Sequence, residues 1–167
     1  ACRITLEPVE AIGVDAAILY SDILIVPEAM GMKLRFVKEV GPVFEQPIRS
    51  EKDSADLNEK NLGKRTGFVF ETIRRIREKL TADFPLLGFA GGPFTVGAYM
   101  TGGDGSYDAT LLKKLAFEEP KVFQEIMKKV TVATIDYLKR QIDAGVDAVQ
   151  LFDTWAGTLS VDDFQTL

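Results

Sequence analysis

The chain has 167 residues, 46% apolar and 27% charged, with a net charge of −5. That length carries one domain with a sizeable core, and the composition is that of an ordinary globular protein, not a disordered or membrane one. The acidic balance argues against nucleic acid as a partner, the lone Cys2 excludes an intrachain disulfide and a multi-cysteine metal cluster, and the lack of histidine removes the commonest metal ligand and general base.

In chain order, residues 3–12 read as a helix and 16–20 as a first strand, followed by Ser21-Asp22 and the apolar run 23–26 up to Pro27. The stretches 34–40 and 43–48 flank Gly41-Pro42 with partial alternation, which predicts a β-hairpin or extended excursion. Residues 50–64 are polar and charged, a surface loop with a short helix. Val69, Ile73, Ile76 and Leu80 recur at helical spacing, with Arg74, Arg75, Arg77 and Lys79 opposite them as a solvated basic face. A second strand, 86–90, runs into Gly91-Gly92-Pro93 and a short apolar segment, 94–100; the Gly-rich stretch 101–106 reads as a mobile loop. Two helices follow, 111–117 and a second started by Pro120 and ended by Gly145. The inward face of the second carries Phe123, Ile126, Met127, Val130, Ala133, Tyr137 and Leu138. The last strand is 148–152, and another helix begins after Ser160. This order of elements, with no domain linker, indicates an α/β fold with a mainly parallel sheet.

Gly13-Val14-Asp15-Ala16 recurs as Gly145-Val146-Asp147-Ala148, and each copy leads into a short apolar run. Such runs suit strands buried on both faces, so the copies read as helix–loop–strand units of one sheet. Nine residues beyond each glycine stand Asp22 and Thr154, polar side chains at the carboxyl ends of their strands. In α/β folds that edge binds ligands, and the two side chains are expected to share a cavity there.

Asp22 is the foremost candidate for chemistry. Apolar residues flank it on both sides, and a carboxylate among them is either held in a sheltered site or capping a local turn. Strand alternation turns Asp153 and Thr154 to different faces, so one of them serves to fix the loop. Trp155 reads as packing. The run Gly88-Phe89-Ala90-Gly91-Gly92-Pro93 lacks the Lys-Ser/Thr of a phosphate loop and the spacing of a dinucleotide fingerprint. Its small residues suit close approach of the backbone to a bulky ligand, with Phe89 as an apolar wall. Tyr99 is open to two readings, a polar contact or a packed core tyrosine.

Taken together, three stretches resemble the uroporphyrinogen decarboxylase family: 15–24 with Ser21-Asp22-Ile23-Leu24 and the following Val26-Pro27, 87–95 continuing through Ala98-Tyr99-Met100, and 148–157 with Phe152-Asp153-Thr154-Trp155-Ala156-Gly157. The likeness runs from end to end. It implies a (β/α)8 barrel with its site at the carboxyl ends of the strands; such a barrel takes about 250 residues, so this chain supplies three or four βα units plus the hairpin excursion. The chain starts at Ala1 inside a helix and stops at Leu167 inside another, so residues 1–167 are expected to be one partial barrel domain truncated at both ends.

The resemblance further implies removal of CO2 from the four acetate arms of uroporphyrinogen to give coproporphyrinogen, with no metal and no organic cofactor. Asp22 then accepts the pyrrole N–H groups and stabilises a ring cation, Tyr99 and Thr154 give hydroxyls to carboxylate arms, and Phe89 lies beside the macrocycle. The family's amino-terminal Arg-Gln-Ala-Gly-Arg segment and its later histidine are absent from these residues. The chain alone is therefore expected to be inactive and poorly soluble, and the full-length protein to be a homodimer. With no apolar run of ~20 residues and no signal-like leader, a cytoplasmic location is expected. Two other readings stand beside this one. A corrinoid-linked methyltransferase of the same superfamily needs a zinc site of His and Cys, and a non-catalytic tetrapyrrole-binding remnant would bind without turnover.

Overall fold

The computed structural model describes residues 1–60, 62–102 and 109–167. Helix α1 (Cys2–Ile12) ends on Gly13, whose φ of 69° and ψ of 48° is the left-handed conformation glycine adopts without strain. Strand β1 (Ala17–Ile18) leads to the short helix α2 (Ile25–Ala29), the hairpin strands β2 (Leu34–Val37) and β3 (Gly41–Phe44), and helices α3 (Glu51–Ala55) and α4 (Leu62–Arg77). Then come β4 (Leu86–Gly91), α5 (Pro93–Gly102), α6 (Thr110–Glu118), α7 (Pro120–Ala144) and β5 (Ala148–Phe152). A 3-10 turn over Thr154–Thr158 and helix α8 (Val161–Thr166) complete the chain.

Strands β1, β4 and β5 pair in parallel in that order, Ala17 opposite Leu86 and Leu87 opposite Ala148. Parallel neighbours in chain order with helical crossovers are the arrangement of successive barrel staves, so the expected α/β partial barrel is what the chain forms. Leu86, Gly88 and Ala90 of β4 are buried toward the helices, whereas Leu87 and Phe89 on the other face are half-buried. The core lies between sheet and helices, with Ile73 and Ile76 of α4 and Ile126, Val130, Ala133 and Tyr137 of α7 fully or almost fully buried. All seven residues assigned to the inward face of α7 are buried or half-buried.

Four expectations change. The hairpin bends at residues 38–40, with Val37 opposite Gly41, so Gly41-Pro42 lies within β3; Glu39 at φ 66° and Gly41 at φ 101° supply the positive-φ positions of the bend. The segment 94–100 belongs to a helix, α5, started by Pro93 and buried on nearly every side, so no polar face marks its period. Gly97 lets its neighbours close in, since a Cβ there would lie 2.6 Å from Met127 Cε. Thr101 and Gly102 of the expected mobile loop are the last residues of α5, and 103–106 lie outside the described residues. Finally, β5 is exposed along its whole length instead of buried on both faces, because it is an edge strand that α7 barely reaches.

Long cationic side chains close the short helices, whose terminal carbonyls otherwise lack partners. Arg65 donates to Ala29 O (2.6 Å) at the end of α2, and Lys129 Nζ to the carbonyls of Ser54 and Ala55 in the last turn of α3 and of Leu57 just beyond it. At the end of α5, Ile48 N–H donates to Met100 O (2.9 Å), and the Arg49 guanidinium to Thr101 O and Gly102 O.

Candidate functional site

The carboxyl end of the sheet is shaped by a lapse in strand pairing. Leu19 N–H donates to Leu87 O (2.9 Å), and beyond it side chains take over from β4. Tyr20 N–H donates to Thr5 Oγ1 (2.9 Å), and Ser21 Oγ lies 3.4 Å from Tyr137 OH. Asp22 Oδ1 accepts from Leu24 N–H (2.7 Å), an Asx-turn leading into α2. Across the gap, Pro85 and Leu87 give their carbonyls to β1, so by alternation the peptide groups of Phe89 face β1 as well. They meet the amide of Gln141 instead: Phe89 N–H donates to Oε1 (3.0 Å) and Nε2 donates to Phe89 O (2.7 Å). This is why β1 is shorter than the predicted 16–20.

Two cavities flank the exit from β1 and share Leu19, Tyr20 and Ser21 as a wall. The first, of about 330 Å³, lies among α2, β2 and α4; Ala1, Asp22 and Glu28 line it beside mainly apolar side chains, with no lysine or arginine side chain among the described residues. The second, of about 460 Å³, runs along β1 toward α1 and is reached by Phe89. The Tyr137 hydroxyl lies beneath this wall. Burial pushes its pKa up to about 12, the charge of Asp22 adding to the effect and the Ser21 hydrogen bond opposing it.

Of the four residues singled out from the sequence, Asp22 and Thr154 follow the carboxyl ends of β1 and β5, Phe89 lies within β4 and Tyr99 on α5, and neither cavity at the β1 exit gathers them. Asp22 lines the first cavity and is exposed, not sheltered, because the Asx-turn carries it clear of the core. Phe89 lines the second and packs edge-on against Phe152 with ring centroids 5.5 Å apart. Tyr99 is half-buried on α5 against the main core, and Thr154 stands exposed at the start of the 3-10 turn. Neither of these cavities is lined by both Asp22 and Thr154, the pair expected to share one.

Asp153 is the member of its pair that fixes the loop. Its Oδ1 accepts from Thr95 N–H (2.7 Å) and Thr95 Oγ1 (2.6 Å), and Thr95 Oγ1 in turn accepts from Trp155 N–H (3.0 Å). The glycines read as making room for a ligand make room for the protein's own side chains: a Cβ at Gly88 would overlap Gln141, at Gly91 Val96, and at Gly92 Asp153. In the basic cluster, Arg74 and Arg75 pair with Glu71 on an exposed face as expected. Arg77 differs, donating to Phe84 O (2.8 Å) and Asp147 Oδ2 (3.2 Å), an oxygen that also accepts Leu86 N–H (2.7 Å). Sequence reasoning missed Gln141, Thr95 and the Ser21–Tyr137 contact. Gln141 was detectable, since it continues the stripe 126, 130, 133, 137 as a polar residue on a buried face. Thr95 carried no such signal.

The parallel order of strands and their helical crossovers define an α/β protein of the barrel type. The uroporphyrinogen decarboxylase (URO-D) family model matches residues 1–167, and the chain belongs to that family. It is 49% identical over 159 residues to the uroporphyrinogen decarboxylase of Campylobacter curvus, covering 95% of this chain and 46% of the relative. To that of Pelobacter propionicus it is 46% identical over 166 residues, 99% of this chain and 48% of the relative. The chain thus spans about half the length of the curated relatives it matches. Among solved structures it superposes on a methyltransferase from Methanosarcina mazei with a TM-score of 0.82 and 23% identity, over 99% of this chain and 49% of that one. That likeness establishes the fold alone. No helix among the described residues is long and apolar enough to cross a membrane.

Proposed function

We propose that the full-length protein containing this chain removes CO2 from the four acetate arms of uroporphyrinogen, leaving methyl groups, and that Asp22 stabilises the cationic ring formed on the way. Protonating a pyrrole carbon lets the ring take up the electron pair of the breaking C–C bond, so the substrate is its own electron sink. What an enzyme adds is a proton, anchors for the arms and a negative group near the pyrrole nitrogens.

The observation that carries this reading is the acidic cavity at the exit of β1. With the Asp22 and Glu28 carboxylates on its walls and no lysine or arginine side chain among the described residues, it favours N–H donors and positive charge. One oxygen of Asp22 is held by Leu24 N–H, and the other makes no hydrogen bond among the described residues. With bound substrate and the rest of the barrel excluding water, a carboxylate oriented in advance is worth about 3 kcal/mol to a developing charge, by analogy with oxyanion-hole donors. In the same reading Phe89 walls the macrocycle, and Tyr99 and Thr154 give hydroxyls to its arms. Cations for the acidic arms then come from the rest of the protein, which leaves the 167-residue chain inactive alone. The reading also carries a cytoplasmic homodimer that binds no nucleic acid, with residues 1–167 as part of one barrel domain.

The test is Asp22→Asn in the full-length protein, which keeps the shape and removes the charge. Turnover of uroporphyrinogen should fall by roughly 10²-fold or more. Activity within a few-fold of the parent protein defeats the assignment of Asp22.

A further inference from the structure

We propose that Thr95 is a positioning residue that sets Thr154 and Tyr99 in a fixed relation to each other. Thr95 is 3% exposed, in the first turn of α5. Its hydroxyl is used twice, donating to Asp153 Oδ1 (2.6 Å) and accepting from Trp155 N–H (3.0 Å). Those partners stand on either side of Thr154, so the one residue between them is bracketed by a single buried hydroxyl. Tyr99 lies four residues further along α5, on the same face of the helix one turn on. One threonine thereby joins the exit of β5 to the helix that follows β4.

Helix capping does not account for this arrangement. A carboxylate at the start of α5 is satisfied by the Thr95 N–H, which already donates to Asp153 (2.7 Å). The bond from Trp155 caps nothing in α5; what it does is fix the backbone beyond Thr154. Gly92 leaves the space that Asp153 needs to reach Thr95, since a Cβ there would overlap the carboxylate. That Tyr99 and Thr154 meet the substrate's arms rests on the function proposed above; the coupling through Thr95 does not.

The experiment uses the full-length protein with Thr95→Val, which keeps the shape and loses the hydroxyl, and Thr95→Ser, which keeps it. Two quantities are read: KM and kcat with uroporphyrinogen, and amide hydrogen exchange at Trp155. Thr95→Val should raise KM roughly tenfold with kcat within about threefold, and speed exchange at Trp155 by about tenfold or more. Thr95→Ser should restore both. A merely structural role would instead lower kcat with the loss of folded protein and leave KM alone. An unchanged KM, or unchanged exchange at Trp155, overturns the proposal. If Thr95→Val does not fold, Asp153→Asn takes its place, with shifts expected in the same direction and smaller; their absence counts equally against it. A parent protein with no turnover of uroporphyrinogen defeats the proposed function, and the exchange comparison then decides the coupling by itself.

Discussion

The amide of Gln141 stands in for a missing stretch of β1, and its contribution can be isolated with Gly88. Gln141 is 0% exposed and satisfies both peptide groups of Phe89, while a Cβ on Gly88 would overlap its Oε1. Gln141→Ala orphans one N–H and one C=O. Each costs about 1–3 kcal/mol when buried, and Phe89 is half-buried, so the total should be about 2–4 kcal/mol. Gly88→Ala should cost a similar ~2–3 kcal/mol, because the new methyl group expels the same amide. In the Gln141→Ala background that methyl group meets empty space, apart from Val146 Cγ1 at 3.2 Å. There Gly88→Ala should cost under about 1 kcal/mol, a coupling of roughly 1–3 kcal/mol between the two sites. Urea unfolding of the full-length protein and the three variants, with unchanged m, measures the cycle. Costs that add to within about 0.5 kcal/mol would refute the claim that one clamp links the two positions.

The remaining predictions concern buried chemistry at either end of the sheet. Tyr137 titrates near 12 in the fold against 10 when unfolded, so the unfolded chain loses its proton first and stability falls as pH rises from 10 to about 12. The loss is on the order of 2–3 kcal/mol, and Tyr137→Phe should remove that slope; equal slopes for both proteins would show that the hydroxyl is not held neutral by burial. Asp147→Ala strips Leu86 N–H and Arg77 of their shared acceptor and should cost about 1–2 kcal/mol in unfolding free energy. Its counterpart in the repeated motif, Asp15, is exposed and makes no hydrogen bond among the described residues, so Asp15→Ala should stay within about 0.5 kcal/mol. Equal costs for the two would contradict the different use of the motif's two copies.

What could be read from the sequence was whatever local chemistry decides. Gly13 and Gly145 close their helices in left-handed conformations, Pro120 opens α7, and the stripe from Phe123 to Tyr137 is the buried face of that helix. Strand β5 falls on the residues its apolar run marked. Helix α5 was illegible because burial on nearly all sides erases the polar half of the pattern from which a helix is recognised. The end of β1 was illegible for another reason: Thr5, Tyr137 and Gln141, which replace its ladder, come from distant parts of the chain and act through side chains. The glycines of 88–92 were noticed and misread, since a close approach leaves the same trace in sequence whether a ligand or Asp153 makes it. The turn that exposes Asp22 is one of the two readings the sequence allows.

The polar groups beyond the two outer strands are held by a common arrangement. At the exit of each outer strand the chain carries two adjacent polar residues, Ser21-Asp22 and Asp153-Thr154, and the two members of each pair are used differently. The first of each pair is tied inward to a helix behind the sheet, Ser21 to Tyr137 of α7 and Asp153 to Thr95 of α5. The second faces outward with bonding capacity left over: one oxygen of Asp22 and the hydroxyl of Thr154 make no hydrogen bond among the described residues. An edge built this way holds its outward polar atoms through neighbours that are tied inward. Their placement is therefore set by partly buried hydrogen bonds, and a search for exposed polar groups would pass over the residues that make them.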